Sequence, residues 1–130
     1  MRIGLRVSSD QAAAVERLRA AERFAVDGSS AEDMARGCVL FDVVDEGAAV
    51  GAIAVDLAGE RRAVVTAAAS RGAATWQHLV MLEQTLRING VRRVALFTRR
   101  RGLVRQLARR GYQPVRPVGA DGVAELEKEL

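Results

Sequence analysis

Polar and apolar residues alternate over residues 2–7, the period of a strand with one wet face, and predict a first strand. Ser8 with Gln11 three residues on reads as a capping box. The run rich in Ala, Leu, Glu and Arg that follows, to about Val26, carries Val15, Leu18 and Ala25 on one stripe and predicts a helix. Asp27-Gly28-Ser29-Ser30 breaks that period, and Ser29 with Glu32 offers a second capping box for a short helix ending near Gly37. Three apolar segments follow at 39–45, 48–57 and 62–69. Turn sequences at Asp45-Glu46-Gly47 and Ala58-Gly59-Glu60 join them into an antiparallel meander. Their alternation is incomplete, the pattern of a sheet with helices over part of both faces.

Beyond Ser70-Arg71-Gly72 the period turns helical. Trp76, Leu79, Leu82, Glu83 and Leu86 share a face, and Asn89-Gly90 supplies a stop. Residues 93–98 read as a buried strand and 102–110 as a short helix closed by Gly111. Residues 112–118 predict a last strand, placed at an edge because Pro114 and Pro117 cannot donate to a ladder. The order is β-α-α-β-β-β-α-β-α-β, a mixed α/β (α+β) arrangement.

At 130 residues this is the size of one domain, read here as spanning 1–130. No apolar run approaches the roughly 18–20 residues that cross a bilayer, and the start lacks the apolar stretch of a secretory signal. Cys38 is the only cysteine and His78 the only histidine, so neither a disulfide framework nor a clustered metal site is predicted. Cytoplasm is the location these features predict. Cys38 reads as a small buried side chain and His78 as a helix-surface residue.

Charge changes the picture more. Lys128 is the only lysine, and no acid occurs between Glu83 and Asp121, a gap that holds ten arginines from Arg87 to Arg116. Such a surface attracts phosphates, nucleic acid or an acidic protein; it equally serves as a solvated face. There is no Walker A loop and no dinucleotide-binding Gly-x-Gly-x-x-Gly.

Two stretches carry a family resemblance. The first is Val64-Val65-Thr66-Ala67-Ala68-Ala69-Ser70-Arg71-Gly72 leading into the long helix. The second is Gly90-Val91-Arg92-Arg93-Val94-Ala95-Leu96-Phe97, followed by Leu107-Ala108-Arg109-Arg110-Gly111-Tyr112-Gln113-Pro114-Val115. With the element order, these resemble the GNAT acyltransferases. The resemblance implies a central mixed, mostly antiparallel sheet flanked by helices, and acetyl-CoA as cofactor with no metal. It also implies a loop of pattern Gln/Arg-x-x-Gly-x-Gly/Ala, whose peptide N–H groups grip the CoA pyrophosphate at a helix N-terminus. Carried onto this chain, that loop is Ser70, Arg71, Gly72, Ala73, Ala74 and Thr75, with Arg99 and Arg100 for further phosphates. Arg71 and Gly72 match the pattern; Ala74 stands at its first Gly and Trp76 at its last small residue. Trp76 also reads as a core anchor.

For the chemistry, the family's acid tyrosine, four residues before the Gly of the Gly-Tyr step, is here Leu107. Tyr112 is the aromatic of that step. Asp56 and Glu60, with Glu83 on the long helix, are the candidate bases, and Asp56, Glu60 and Tyr112 form the catalytic set; each carboxylate also reads as a solvated or ion-paired group. Three functions stay open. One is N-acetyl transfer to an amine. The second is an inactive structural or interaction protein acting through the arginine-rich third, as in small bacteriophage-encoded proteins of this fold, some of them virion components. The third is nucleic-acid binding by the same surface.

Overall fold

In the computed structural model, which describes residues 3–71 and 75–130, the meander forms where the turn sequences place it. Strands β1 (Ile3–Val7), β2 (Val39–Asp45), β3 (Ala48–Gly59) and β4 (Arg62–Ser70) pair antiparallel in that order. Glu46 (φ 50°) and Gly47 (φ 82°) make the two-residue β2–β3 loop with both φ positive, the hairpin turn whose twist suits the flanking strands. Helix α3 (Thr75–Ile88) then crosses over to β5 (Arg93–Thr98), which lies parallel to β4. After α4 (Arg101–Ala108), β6 (Gln113–Pro114) and β7 (Ala124–Glu129) complete a sheet ordered β1-β2-β3-β4-β5-β7-β6 among the described residues.

β7 corrects the sequence reading. The strand expected over 112–118 shrinks to the two residues of β6 at the sheet edge, and β7 inserts between it and β5. Ala-Glu-Leu-Glu-Lys-Glu is helix-forming by composition. Its alternation wins because each set of side chains finds partners: Ala124 and Leu126 are buried, while Glu125 and Glu127 meet Arg62 at 2.9 and 3.0 Å. Arg116 joins Glu125 at 2.9 Å and Arg93 joins Glu127 at 3.5 Å.

The early helices are shorter than their periodicity suggests. α1 (Gln11–Leu18) is capped by Asp10, whose Oδ1 accepts from the Ala13 N–H at 3.1 Å, and it runs into a 3-10 segment, Arg19–Phe24. Ser8 is tied instead to Asp10, its hydroxyl donating to the Asp10 carbonyl at 3.0 Å. α2 (Ala31–Ala35) carries its capping box one residue later than predicted, between Ser30 and Asp33.

These helices cover opposite faces. α3 and α4 bury Leu82, Leu86 and Leu107 against Phe41, Val43, Ile53, Val55, Val94 and Leu126. α1, the 3-10 segment and α2 bury Ala14, Leu18, Ala21 and Ala31 against Leu40, Ala52, Ala54 and Ala67. One residue in β4 changes parity between the two. Val55 pairs Val65 but Ala54 pairs Ala67, so Thr66 is the extra residue of a bulge. Before it Ala63 belongs to the α3 face; after it Ala67 belongs to the α1 face.

Candidate functional site

The bulge stands where β4 and β5 part. Their ladder runs from Arg62↔Arg93 to Val65↔Leu96 and stops, although β4 continues to Ser70 and β5 to Thr98. A bulge bends its strand and sharpens the twist, which turns the upper half of β4 away from its parallel neighbour. Between them opens a cleft of about 420 Å³. Its walls are Val65, Thr66, Ala67 and Ala68 on one side and Leu96, Phe97 and Thr98 on the other. Phe24 and Met34 reach it from the α1 face of the sheet, Trp76, Leu103 and Leu107 from the α3 face. The cleft therefore passes through the sheet, and backbone of β4 that would pair with β5 faces it.

Phe24 stands at the mouth, 41% exposed, with the Arg100 guanidinium 4.1 Å above its ring and that of Arg23 at 4.6 Å. The Arg100 N–H donates to the Thr98 hydroxyl at 3.0 Å, which fixes the step from β5 into α4. Trp76 is half-buried against the α3-face core, with the Arg110 guanidinium 3.8 Å from its ring, a cation–π contact.

A second hollow of about 340 Å³ adjoins the cleft on the α2 side and shares Phe24, Met34, Val65, Thr66 and Phe97 with it. Asp27, Asp33 and Asp56 line it, with Arg36 and Cys38. The Ser29 hydroxyl and N–H hold the Asp27 carboxyl below its usual range, and the Ser30 cap does the same for Asp33, so both are ionised at neutral pH. Burial pushes the Cys38 thiol up, which keeps it protonated; its Sγ lies 3.3 Å from the Met34 carbonyl. The Thr66 hydroxyl donates to that same carbonyl at 2.7 Å, tying the bulge to α2.

The structure places the other sequence-chosen residues as follows. Ser70 and Arg71 are exposed at the end of β4; the Arg71 N–H donates to the Val50 carbonyl at 3.0 Å, so that amide continues the sheet and only the guanidinium is left for an anion. Gly72, Ala73 and Ala74 lie outside the described residues, and Thr75 opens α3. Arg99 is exposed and donates to the Asp121 carbonyl at 3.0 Å. Glu60 sits in the β3–β4 turn, at the opposite end of β4 from Ser70. Tyr112 is 1% exposed, and its hydroxyl donates to Glu83 Oε2 at 2.7 Å, away from the walls of the cleft. Of the proposed catalytic set, Asp56 alone is thus brought beside Thr66.

His78 corrects the sequence reading. It is buried, not on the helix surface, and its Nε2 lies 3.0 Å from the Val44 carbonyl; a carbonyl only accepts, so that nitrogen carries the proton. Phe24, Met34 and Thr66 were missed as site residues. A signal existed for Thr66 alone, the one polar residue inside the run from Val64 to Ala69. Among the described residues no cluster of three His, Cys, Asp or Glu side chains could hold a metal, and no helix is long and apolar enough to cross a membrane.

A mixed sheet with two parallel neighbours splayed past a bulge, entered by a helix on each side, defines a class of fold. That fold is the GNAT fold. Superposition on a GNAT family acetyltransferase from Elizabethkingia anophelis with acetyl-CoA bound gives a TM-score of 0.76 at 12% identity, covering 98% of both chains. The PaiA N-acetyltransferase from Thermoplasma acidophilum in complex with coenzyme A gives 0.73 at 12% identity over 100% of both. A Bacillus subtilis acetyltransferase in complex with CoA gives 0.70 at 10% identity, over 99% of this chain and 98% of that one. No family model matches the sequence. No curated protein matches it either.

Proposed function

We propose that this chain is an acyl-CoA-dependent N-acyltransferase that moves an acetyl group from acetyl-CoA to an amine. One observation carries the reading: the cleft that opens through the sheet past Thr66, where β4 parts from β5. Its small Ala67 and Ala68 and its largely apolar walls suit a slender chain with a few amide groups, which β4 backbone facing the gap can bind. Arg100, Arg99 and the Arg71 guanidinium are the phosphate-binding groups in this reading, with Ser70 beside them. When bound, acetyl-CoA supplies an acyl group activated as a thioester.

The chain's own residues divide the remaining work. The hollow on the α2 side, with ionised Asp27 and Asp33, draws in a cationic amine and delivers it to the cleft at Thr66. Asp56 is the group in that hollow assigned to take the ammonium proton, since only the neutral amine has a lone pair to attack with. Leu107 is buried in the cleft wall and has no proton to give, so solvent supplies the one the thiol end requires. Tyr112 has its hydroxyl engaged with Glu83 and acts on the site through packing of α3.

Calorimetric titration with acetyl-CoA and with CoA tests the reading. Dissociation constants in the roughly micromolar-to-millimolar range usual for enzyme substrates are expected, and Ala68→Trp, which fills the cleft, should weaken both by about tenfold or more. No heat from either ligand at millimolar concentration would sink it. A second reading, a scaffold of this fold without catalysis, is favoured by the commitment of the Arg71 amide to the sheet. A well-folded protein that takes up neither ligand would leave that reading in place.

A further inference from the structure

The arginines of the C-terminal third fall into two groups. Most are engaged. Arg93 and Arg116 pair with acids of β7, Arg99 with a carbonyl, Arg100 with the Phe24 ring and Arg110 with the Trp76 ring and the Gln106 carbonyl. Arg101, Arg105 and Arg109 are among the unpaired, and differ in standing together on α4 and its C-terminal cap. All three are exposed, and among the described residues their guanidinium groups make no ion pair, hydrogen bond or ring contact.

Their placement is regular. At successive steps of four residues they lie on one side of α4 and its final turn, about 6 Å apart along the axis. The opposite side carries Leu103, Val104 and Leu107 into the core. Between the arginines stand only Gly102, Gln106 and Ala108, and none of the exposed large hydrophobic side chains lies on this helix. No acid of α4 opposes them. A protein partner needs an apolar centre to its patch, which this ridge lacks. A row of unpaired guanidinium groups without apolar content instead suits a chain of phosphates, whose spacing along one strand is comparable and whose oxygens the planar fork meets two at a time.

We infer that the outer face of α4, through Arg101, Arg105 and Arg109, binds the phosphate backbone of nucleic acid without reading its sequence. This surface is separate from the cleft and does not rest on acyl transfer. Contacts to phosphate alone carry no base information, so affinity depends on charge and salt.

Fluorescence anisotropy of a labelled single-stranded DNA of about 20 nucleotides, titrated across salt, tests the inference. Three phosphate contacts give a slope of log K against log salt of about −2, so affinity falls roughly 20-fold between about 50 and 200 mM. Replacing Arg101, Arg105 and Arg109 together by Ala should bring the slope close to zero. Arg105→Ala alone should lower its magnitude by roughly 0.7, while Arg87→Ala on α3 leaves it unchanged. The single variant keeps the test decisive if the triple variant folds poorly. No binding at 50 mM salt, or an unaltered slope in the arginine variants, overturns the inference. So does poly-glutamate binding as tightly as DNA, which would assign the ridge to an acidic protein. Displacement of DNA by CoA would assign it to the cofactor and overturn it equally.

Discussion

The two faces of the sheet are built from different side chains and held by different forces. Under α3 and α4 the buried set is large: Phe41, Ile53, Leu82, Leu86, Leu107, Tyr112 and Leu126. A buried polar cluster pins it, with Glu83 accepting from the Tyr112 hydroxyl at 2.7 Å and pairing Lys128 at 3.0 Å. Under α1 and α2 the buried set is mostly alanine; its polar ties are the buried Asp42, which pairs Arg6 at 3.1 Å and Arg17 of α1 at 3.6 Å, and a surface cluster in which Arg19 meets Glu16 at 2.8 Å and also pairs with Glu22 and Glu32. Alanines let short helices approach closely but supply little apolar area, so that layer leans on the sheet for its stability. The difference shows where a site is affordable. The thick face fixes the strands, and the thin face ends early enough to leave open the cleft and the acidic hollow beside Thr66.

Substitutions can break that contrast on either side. The largest effect is expected from Leu126→Ala, at a position fully buried among the large side chains. Loss of its area and the cavity left behind should cost about 2–5 kcal/mol, read from chemical denaturation. On the alanine face the damage comes from adding volume. Ala54 is fully buried opposite Ala67, and Ala54→Leu should cost about 2–3 kcal/mol by overpacking. The corresponding truncation on that face, Ala54→Gly, should cost less than Leu126→Ala, and equal costs would erase the distinction between the faces.

The contrast also explains what the sequence disclosed. The meander, the long helix and β5 each carry their period in local order, and their turns are marked by Gly47 and Gly90. β7 was hidden because its partners are remote. By composition Glu125 and Glu127 belong to a charged, helix-forming run; their strand is explained only by Arg62, more than sixty positions earlier, which meets them across the sheet. The bulge at Thr66 was hidden for a related reason, since parity of one strand is defined only against its neighbour. His78 looked exposed because a lone polar residue on a helix usually is; burial came from a backbone carbonyl at Val44, which no side-chain pattern advertises. Asp56 and the arginines were legible as chemistry, but their grouping into hollow and ridge depends on which acids β7 brings to which arginines.

The smallest of the expected effects probes the pin of the thick face. Tyr112→Phe keeps the ring and removes the hydroxyl, leaving Glu83 with Lys128 as its remaining partner; a loss of about 1.5 kcal/mol at neutral pH is expected. Burial, reinforced by the adjacent Glu83 carboxylate, drives the Tyr112 hydroxyl well above the usual tyrosine range. The unfolded chain gives up that proton near pH 10, whereas the folded chain retains it. Above that pH the native state holds more protons than the unfolded one, so stability falls as pH rises, by up to about 1.4 kcal/mol per unit from this group. The hydroxyl's contribution is thus fully present below about pH 10 and lost above it. Other groups that titrate in this range are common to both proteins. Denaturation of wild type and Tyr112→Phe from neutral pH to about pH 11 should therefore show two curves that converge at the alkaline end. Parallel curves would mean that the hydroxyl is not held as a buried donor and that the thick face owes its rigidity to apolar packing alone.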